Sequence, residues 1–226
     1  MPPFCAACGS TRLLRTVLRL GIPSAMNMIV MSVAEMVLLG LVNGFGSGAT
    51  AAYGAVNQVL SYVQFPAMSI AISVSIFGAQ AIGRGEAKEI GRIVRTGLEM
   101  NLVLTGGLVA IAYLFSRTLM GFFITDDAVI DLAQRSLHIV LWSSVVFGMS
   151  TSFSAAMRAS GTVWAPLSLS MLSIIAVEVP CAIVLSHVFG IDGVWLAYPI
   201  TFCTMLLLQM SFYLLVWRKR TISRLV

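Results

Sequence analysis

The sequence predicts an all-α membrane protein of six transmembrane helices with both termini in the cytoplasm. Three observations predict it. The 226 residues are 58% hydrophobic and only 10% charged, with a mean hydropathy of +0.95, whereas soluble domains carry about 25% charged residues. Six apolar runs reach the roughly 20 residues that a spanning helix needs, and all far exceed the roughly 10 of a barrel strand. The basic residues fall on alternate connections, as six spans require. A net charge of +5 and a pI near 9.3 would suggest nucleic acid in a soluble protein. Here the positions of the basic residues matter more than their sum, and no nucleic-acid partner is expected.

Residues 1–20 are expected to form a cytoplasmic N-terminal segment carrying Arg12, Arg15 and Arg19. The segment lacks the order of basic start, apolar stretch and small-residue cleavage site that marks a secretory signal. Cys5 and Cys8 form a lone C-x-x-C there. A structural zinc needs four ligands, and neither His138 nor His187 is near in sequence, so neither a metal site nor a cofactor is expected. Cys181 and Cys203 fall in apolar runs, where cysteine behaves as a small hydrophobe.

A six-helix unit is expected over 21–217, with spans at 21–43, 49–82, 93–115, 132–157, 166–189 and 193–217. The second is longer than a bilayer needs and contains Pro66. It is expected to be bent or partly interfacial, its proline being either an ordinary kink or a hinge. Residues 218–226 form a basic tail with Arg218, Lys219, Arg220 and Arg224. With Arg84, Lys88, Arg92, Arg95 and Arg158, these place every basic residue except Arg117 and Arg135 on one side. The positive-inside rule makes that side cytoplasmic. Asp126, Asp127, Asp131 and Asp192 fall on the other.

Two acids interrupt the apolar runs. Glu35 sits in SVAEMVLLGLV at 32–42, and Glu178 in IIAVEVPCAIV at 174–184. Both fall near the bilayer midplane, slightly outward, on spans that run the same way. A charged side chain at that depth costs about 2.5–3.5 kcal/mol on the insertion scale, and such residues by default mark ion or substrate pathways. At 100° per residue, Ser24, Met28, Met31 and Ser32 share a face with Glu35, opposite a lipid-suited face of Met26, Ile29, Val30, Val33, Val37, Gly40 and Leu41. Glu35 is therefore expected to point into protein or a cavity. Methionine suits either ordinary packing or an adaptable pocket for varied ligands. An ideal helix surrounds Glu178 with uncharged neighbours, among them Leu167, Met171, Ile174 and Cys181. Pro180 cannot donate to the Ala176 carbonyl. Asn57, Gln58, Tyr62 and Gln64 precede Pro66, where polar side chains either line a cavity or hydrogen-bond between helices. The expected ion- and substrate-binding residues are Glu35, Glu178, Met28, Met31, Gln58 and Tyr62. Glu99, one turn after Arg95, fits an i,i+4 ion pair. No H-E-x-x-H, P-loop or dinucleotide fingerprint is present, and the chain is not expected to be an enzyme.

Five stretches carry a family resemblance. LRLGIPSAMNM (18–28), GFGSGATAAYGAVNQV (44–59), GAQAIGRGEAKEIGRIVRTGL (78–98), AAMRASGT (155–162) and GIDGVWLAYPITF (190–202) resemble, in order and spacing, the second half of multidrug and toxic compound extrusion (MATE) transporters. The resemblance covers about 13–220. It implies one lobe of a two-lobe transporter, whose six-helix lobes are related by a pseudo-two-fold axis along the membrane normal around a shared cavity. It implies a multi-pass protein of the bacterial inner membrane that exports organic cations in exchange for H+ or Na+, in contact with the lipid bilayer and a second six-helix lobe. Glu35 stands in a span where many members carry an acid in this lobe. Glu178 matches no such position, and VVFGMSTSFSAAMR at 145–158 lacks an acid many relatives have. The segment before Gly21 looks like the link between lobes. The alternative expectation is a truncated or split half that transports nothing alone, or that must pair with a second lobe.

Overall fold

The computed structural model describes residues 6–217, with the side chains of Leu18 and of 21–217 except residue 87. The Cys5–Cys8 pair and the tail 218–226 lie outside these described residues and side chains. Five helices are long and apolar enough to cross a membrane, and a bent pair makes a sixth span.

Helix α1 (Ala6–Asn43) runs unbroken through Pro23, so residue 20 marks no break in the backbone. Helix α2 (Ser47–Arg84) is likewise one helix of 38 residues through Pro66. It ends where Gly85 adopts φ 81°, a left-handed conformation open to glycine. The amides of Gly85 and Glu86 then return to the Ile82 and Ala81 carbonyls at 3.0 and 2.9 Å, closing the helix end. A 3-10 turn (Ala87–Glu89) leads into α3 (Ile90–Leu114), followed by the short α4 (Ser116–Gly121). Asp126 caps α5 (Asp127–Val140) by accepting the Ala128 amide at 3.0 Å.

The fourth span is not the single helix expected over 132–157. It is α5 joined to α6 (Ser143–Ala159) with a bend of 42°. No proline or glycine stands at this break, so the sequence pattern concealed it. Side chains hydrogen-bond to backbone carbonyls on both sides of the break. Tyr113 Oη donates to the His138 carbonyl at 2.7 Å, Ser143 Oγ to Val140 at 2.6 Å and Asn101 Nδ2 to Val145 at 3.1 Å. Such substitutes are what allow a broken helix inside a bilayer.

The fifth span combines α7 (Trp164–Ser173), a π turn (Ile174–Glu178) and α8 (Val179–Phe189). The sixth combines α9 (Ile191–Phe212) with a second π turn (Tyr213–Trp217). Gly193 lets α9 approach α8, because a β-carbon there would run into the Leu185 carbonyl.

Apolar burial forms two clusters along the bundle. One gathers Leu38, Tyr53, Val56, Leu137 and Trp195 toward the end that carries Asp131 and Asp192. The other gathers Val74, Val94, Met157, Tyr213 and Trp217 toward the end that carries Arg84 and Arg92. Helices α3, α6, α7 and α9 also contribute buried polar groups. Thr105 Oγ1 donates to Asn101 Oδ1 at 2.9 Å, and Gln209 Nε2 to Ser170 Oγ at 3.0 Å. These pairings hold polar side chains in a site far from water, where an unpaired one would cost about 1–3 kcal/mol.

Candidate functional site

Glu35 and Glu178 come from opposite ends of the chain to one place. On α1, Ala34, Leu38 and Val42 are buried, a stripe at i, i+4, i+8 that docks the helix on α2, α7 and the first π turn. Glu35 is one residue off that stripe. Its side chain is exposed on this lobe rather than enclosed by it. Met28 and Met31 are exposed at 69% and 42% on the same open helix. The lipid-suited face of α1 also needs one correction: Val30 and Leu41 are half-buried against the bundle.

The π turn sets the position of Glu178. The Val179 amide bonds to the Ile174 carbonyl, five residues back. Because Pro180 offers no N–H, the wider turn stands where an α-helical bond to Ala176 would be lost. Glu178 is the last residue of that turn. It is 9% exposed. Its carboxylate is close enough to that of Glu35 for the two charges to interact, and both lie within electrostatic reach of Tyr53 and Tyr198. The two phenols share a hydrogen bond of 2.9 Å. Asn57, one turn along α2 from Tyr53, hydrogen-bonds the Tyr53 hydroxyl. Trp195 backs the pair, with ring centroids 5.1 Å from Tyr53 and 5.8 Å from Tyr198.

The structure therefore joins the two acids that the sequence singled out and adds Tyr53, Tyr198 and Asn57. The first two were not singled out, although both fall within the stretches quoted above. The available signal was their depth: a tyrosine away from the interface needs a partner for its hydroxyl. Gln58 and Tyr62 are exposed on another face of α2, where Tyr62 lies 6.3 Å from the Phe65 ring. Neither they nor Met28 and Met31 bond to the acids. Asn27 Nδ2 instead approaches Met31 Sδ at 3.8 Å. Glu99 forms the expected ion pair with Arg95 at 2.9 Å.

Two clefts lie elsewhere. One of about 740 Å³ opens at the acidic end between Asp131, Arg135, His138 and Asp192, where Arg135 pairs with Asp192. Another of about 490 Å³ lies between α2 and α3, lined by Ser69, Ser73, Phe77 and Arg92. Neither contains Glu35 or Glu178. Among the described residues no three histidine, cysteine or carboxylate groups meet to hold a metal ion.

The MatE family model matches residues 23–184. The chain belongs to the MatE family. Its members are secondary multidrug transporters, not enzymes. The probable multidrug resistance protein YoeA of Bacillus subtilis is 46% identical over 216 residues, which are 95% of this chain and 47% of that protein. Two solved structures share the fold. The MATE transporter VcmN of Vibrio cholerae in its bent form superposes with a TM-score of 0.84 at 19% identity, over 92% of this chain and 48% of that one. The MATE transporter ClbM in complex with Rb+ superposes at 0.82 and 18% identity, over 96% of this chain and 49% of that one. The chain spans about half the length of the curated relatives it matches. The match thus takes in α1 from Pro23, all of α2–α7 and α8 as far as Val184, Glu35 and Glu178 included.

Proposed function

We propose that this MatE chain acts as one lobe of a cation-coupled antiporter that exports organic, cationic, drug-like compounds across the bacterial inner membrane. It would exchange them for H+ or Na+ and work with a second six-helix lobe. In this reading the domain boundaries follow the sequence: 1–20 and 218–226 are cytoplasmic, and the basic end of the bundle faces the cytoplasm.

One observation carries the reading: Glu35, near the middle of a spanning helix, faces outward from this lobe beside a second acid and exposed methionines. An acid so placed on a lone lobe would face lipid at high cost. Facing another lobe, it lines a cavity and can trade a proton or sodium ion for a cationic substrate. Met28 and Met31 would supply adaptable apolar contact, with Gln58 and Tyr62 farther along α2. The similarity to YoeA, named a probable multidrug resistance protein, supports the substrate class.

The test is Glu35→Gln in cells that export a cationic dye through this chain and its partner lobe. Coupled export is lost while membrane insertion stays at the wild-type level. Full export by the variant contradicts the assignment. A second reading, a half that transports nothing by itself, is supported by the coverage of about half of each relative. Expression of residues 1–226 with and without a second lobe separates the two: export by the single chain as one copy rejects it.

A further inference from the structure

The cleft between α2 and α3 has an apolar floor and a charged mouth. Its floor is Ile70, Val74 and Gly97, all buried. Gly97 lets the two helices close up beneath it, because a β-carbon there would run into Val74 Cγ2. Phe77 and Met100 flank the floor and are exposed at 56% and 49%. Ser69 and Ser73 also line the cleft, but their hydroxyls donate to the Phe65 and Ser69 carbonyls of their own helix, each at 3.0 Å. Their donors are spent, so the walls act as apolar surface. The charged groups stand at one end only, where Glu89 and Arg92 open on the basic end of the bundle. The neighbouring Arg84 and Arg95 are held by Glu86 and Glu99. Glu89 and Arg92 form no ion pair with each other or with another described residue.

We propose that this groove binds one phosphatidylethanolamine molecule from the leaflet at the basic end. Its phosphate meets Arg92, its ammonium meets Glu89, and an acyl chain lies along Phe77, Val74 and Met100. Charge selects the headgroup. One unpaired cation and one unpaired anion at the same mouth complement a group that carries both signs. A guanidinium fork matches phosphate oxygens, and a primary ammonium offers three donors to a carboxylate. The methylated ammonium of choline has no N–H to offer, and glycerol carries no positive charge. Depth selects a lipid. Helix α3 rises about 12 Å from Arg92 to Met100, most of the roughly 15 Å that one leaflet gives to a hydrocarbon core of about 30 Å. The groove thus runs from headgroup level into the acyl region. Its volume of about 490 Å³ lies within the roughly 300–1,000 Å³ of ordinary small-molecule sites. Basic pockets between spanning helices are places where lipid headgroups bind. The site needs a bilayer but neither a second lobe nor an ion gradient, so it and the antiporter reading fail separately.

The experiment is native mass spectrometry of the purified full chain in detergent. Phosphatidylethanolamine, phosphatidylcholine and phosphatidylglycerol with the same acyl chains are supplied in equal amounts. Wild type should retain one phosphatidylethanolamine per chain, about fivefold over either competitor, the worth of one charge contact at a lipid surface. Arg92→Gln should lower that retention about fivefold. Glu89→Gln should bring phosphatidylethanolamine down to the level of phosphatidylglycerol. Thr96→Trp, on the groove wall, should block the acyl chain and lower retention of the lipid whatever its headgroup. All three positions are exposed, and if one variant fails to fold the other two still read the site. Folded wild type that retains no lipid, retains all three equally or prefers phosphatidylglycerol overturns the proposal. Wild-type retention by Arg92→Gln or by Glu89→Gln also overturns it. A dimer that Thr96→Trp disrupts gives the groove to a second copy of the chain and overturns the lipid.

Discussion

At the scale of single residues, the fold depends on side chains that stand in for backbone partners. Asn101 is fully buried, donates to the Val145 carbonyl and accepts from Thr105. Asn101→Ala removes both hydrogen bonds from a buried position and should cost about 1–3 kcal/mol, read as a lower thermal midpoint in detergent. An unchanged midpoint would show that the bend at α5–α6 needs no such support. Gly193 acts by what it lacks. Gly193→Leu drives a side chain into the Leu185 backbone and should destabilise by at least the roughly 1–3 kcal/mol of ordinary overpacking. The same melting measurement checks it. The ion pairs of Arg117 with Asp127 and Asp131 are exposed and belong to the class worth about 0–1 kcal/mol. Arg117→Gln should therefore leave the midpoint nearly unchanged.

At the scale of elements, the spans were legible because bilayer thickness imposes a length that hydropathy reports directly. Five of the six spans are single stretches of apolar sequence, and the helices follow them. The bend in the fourth was hidden because two side chains that bond near it, Tyr113 and Asn101, stand on α3, a different helix. The π turn was half legible. Pro180 announced a missing donor, but only the fold shows that the chain answered with a wider turn at Ile174–Glu178. That difference moved Glu178 from an acid with depth alone to a member of the site. Deleting Ala176, an exposed residue within the turn, should restore α-helical spacing and turn Glu178 away from Tyr198. The chain should remain helical by circular dichroism while dye export with a second lobe falls. Unchanged export would show that the π turn does not place the acid.

At the scale of the whole molecule, the sequence reading ranked Glu35 above Glu178, and the structure makes them partners. Sequence geometry treats each helix alone, so it could see the stripe around Glu35 but not the meeting of α1 with the first π turn. Gln58 and Tyr62 are exposed on another face of α2, whereas Asn57 shares a turn with Tyr53. The open face of α1, with Met28, Met31 and Met36 exposed, is the side on which a MatE transporter would need its other lobe. The central claim is that Glu35 couples an ion gradient to export across that face. Its most direct measurement is ethidium export from energised membrane vesicles holding this chain and a second lobe, comparing wild type with Glu35→Gln. Gradient-dependent export that disappears in the variant, at equal insertion, is the predicted result. Equal export by both, or export indifferent to the gradient, would contradict it.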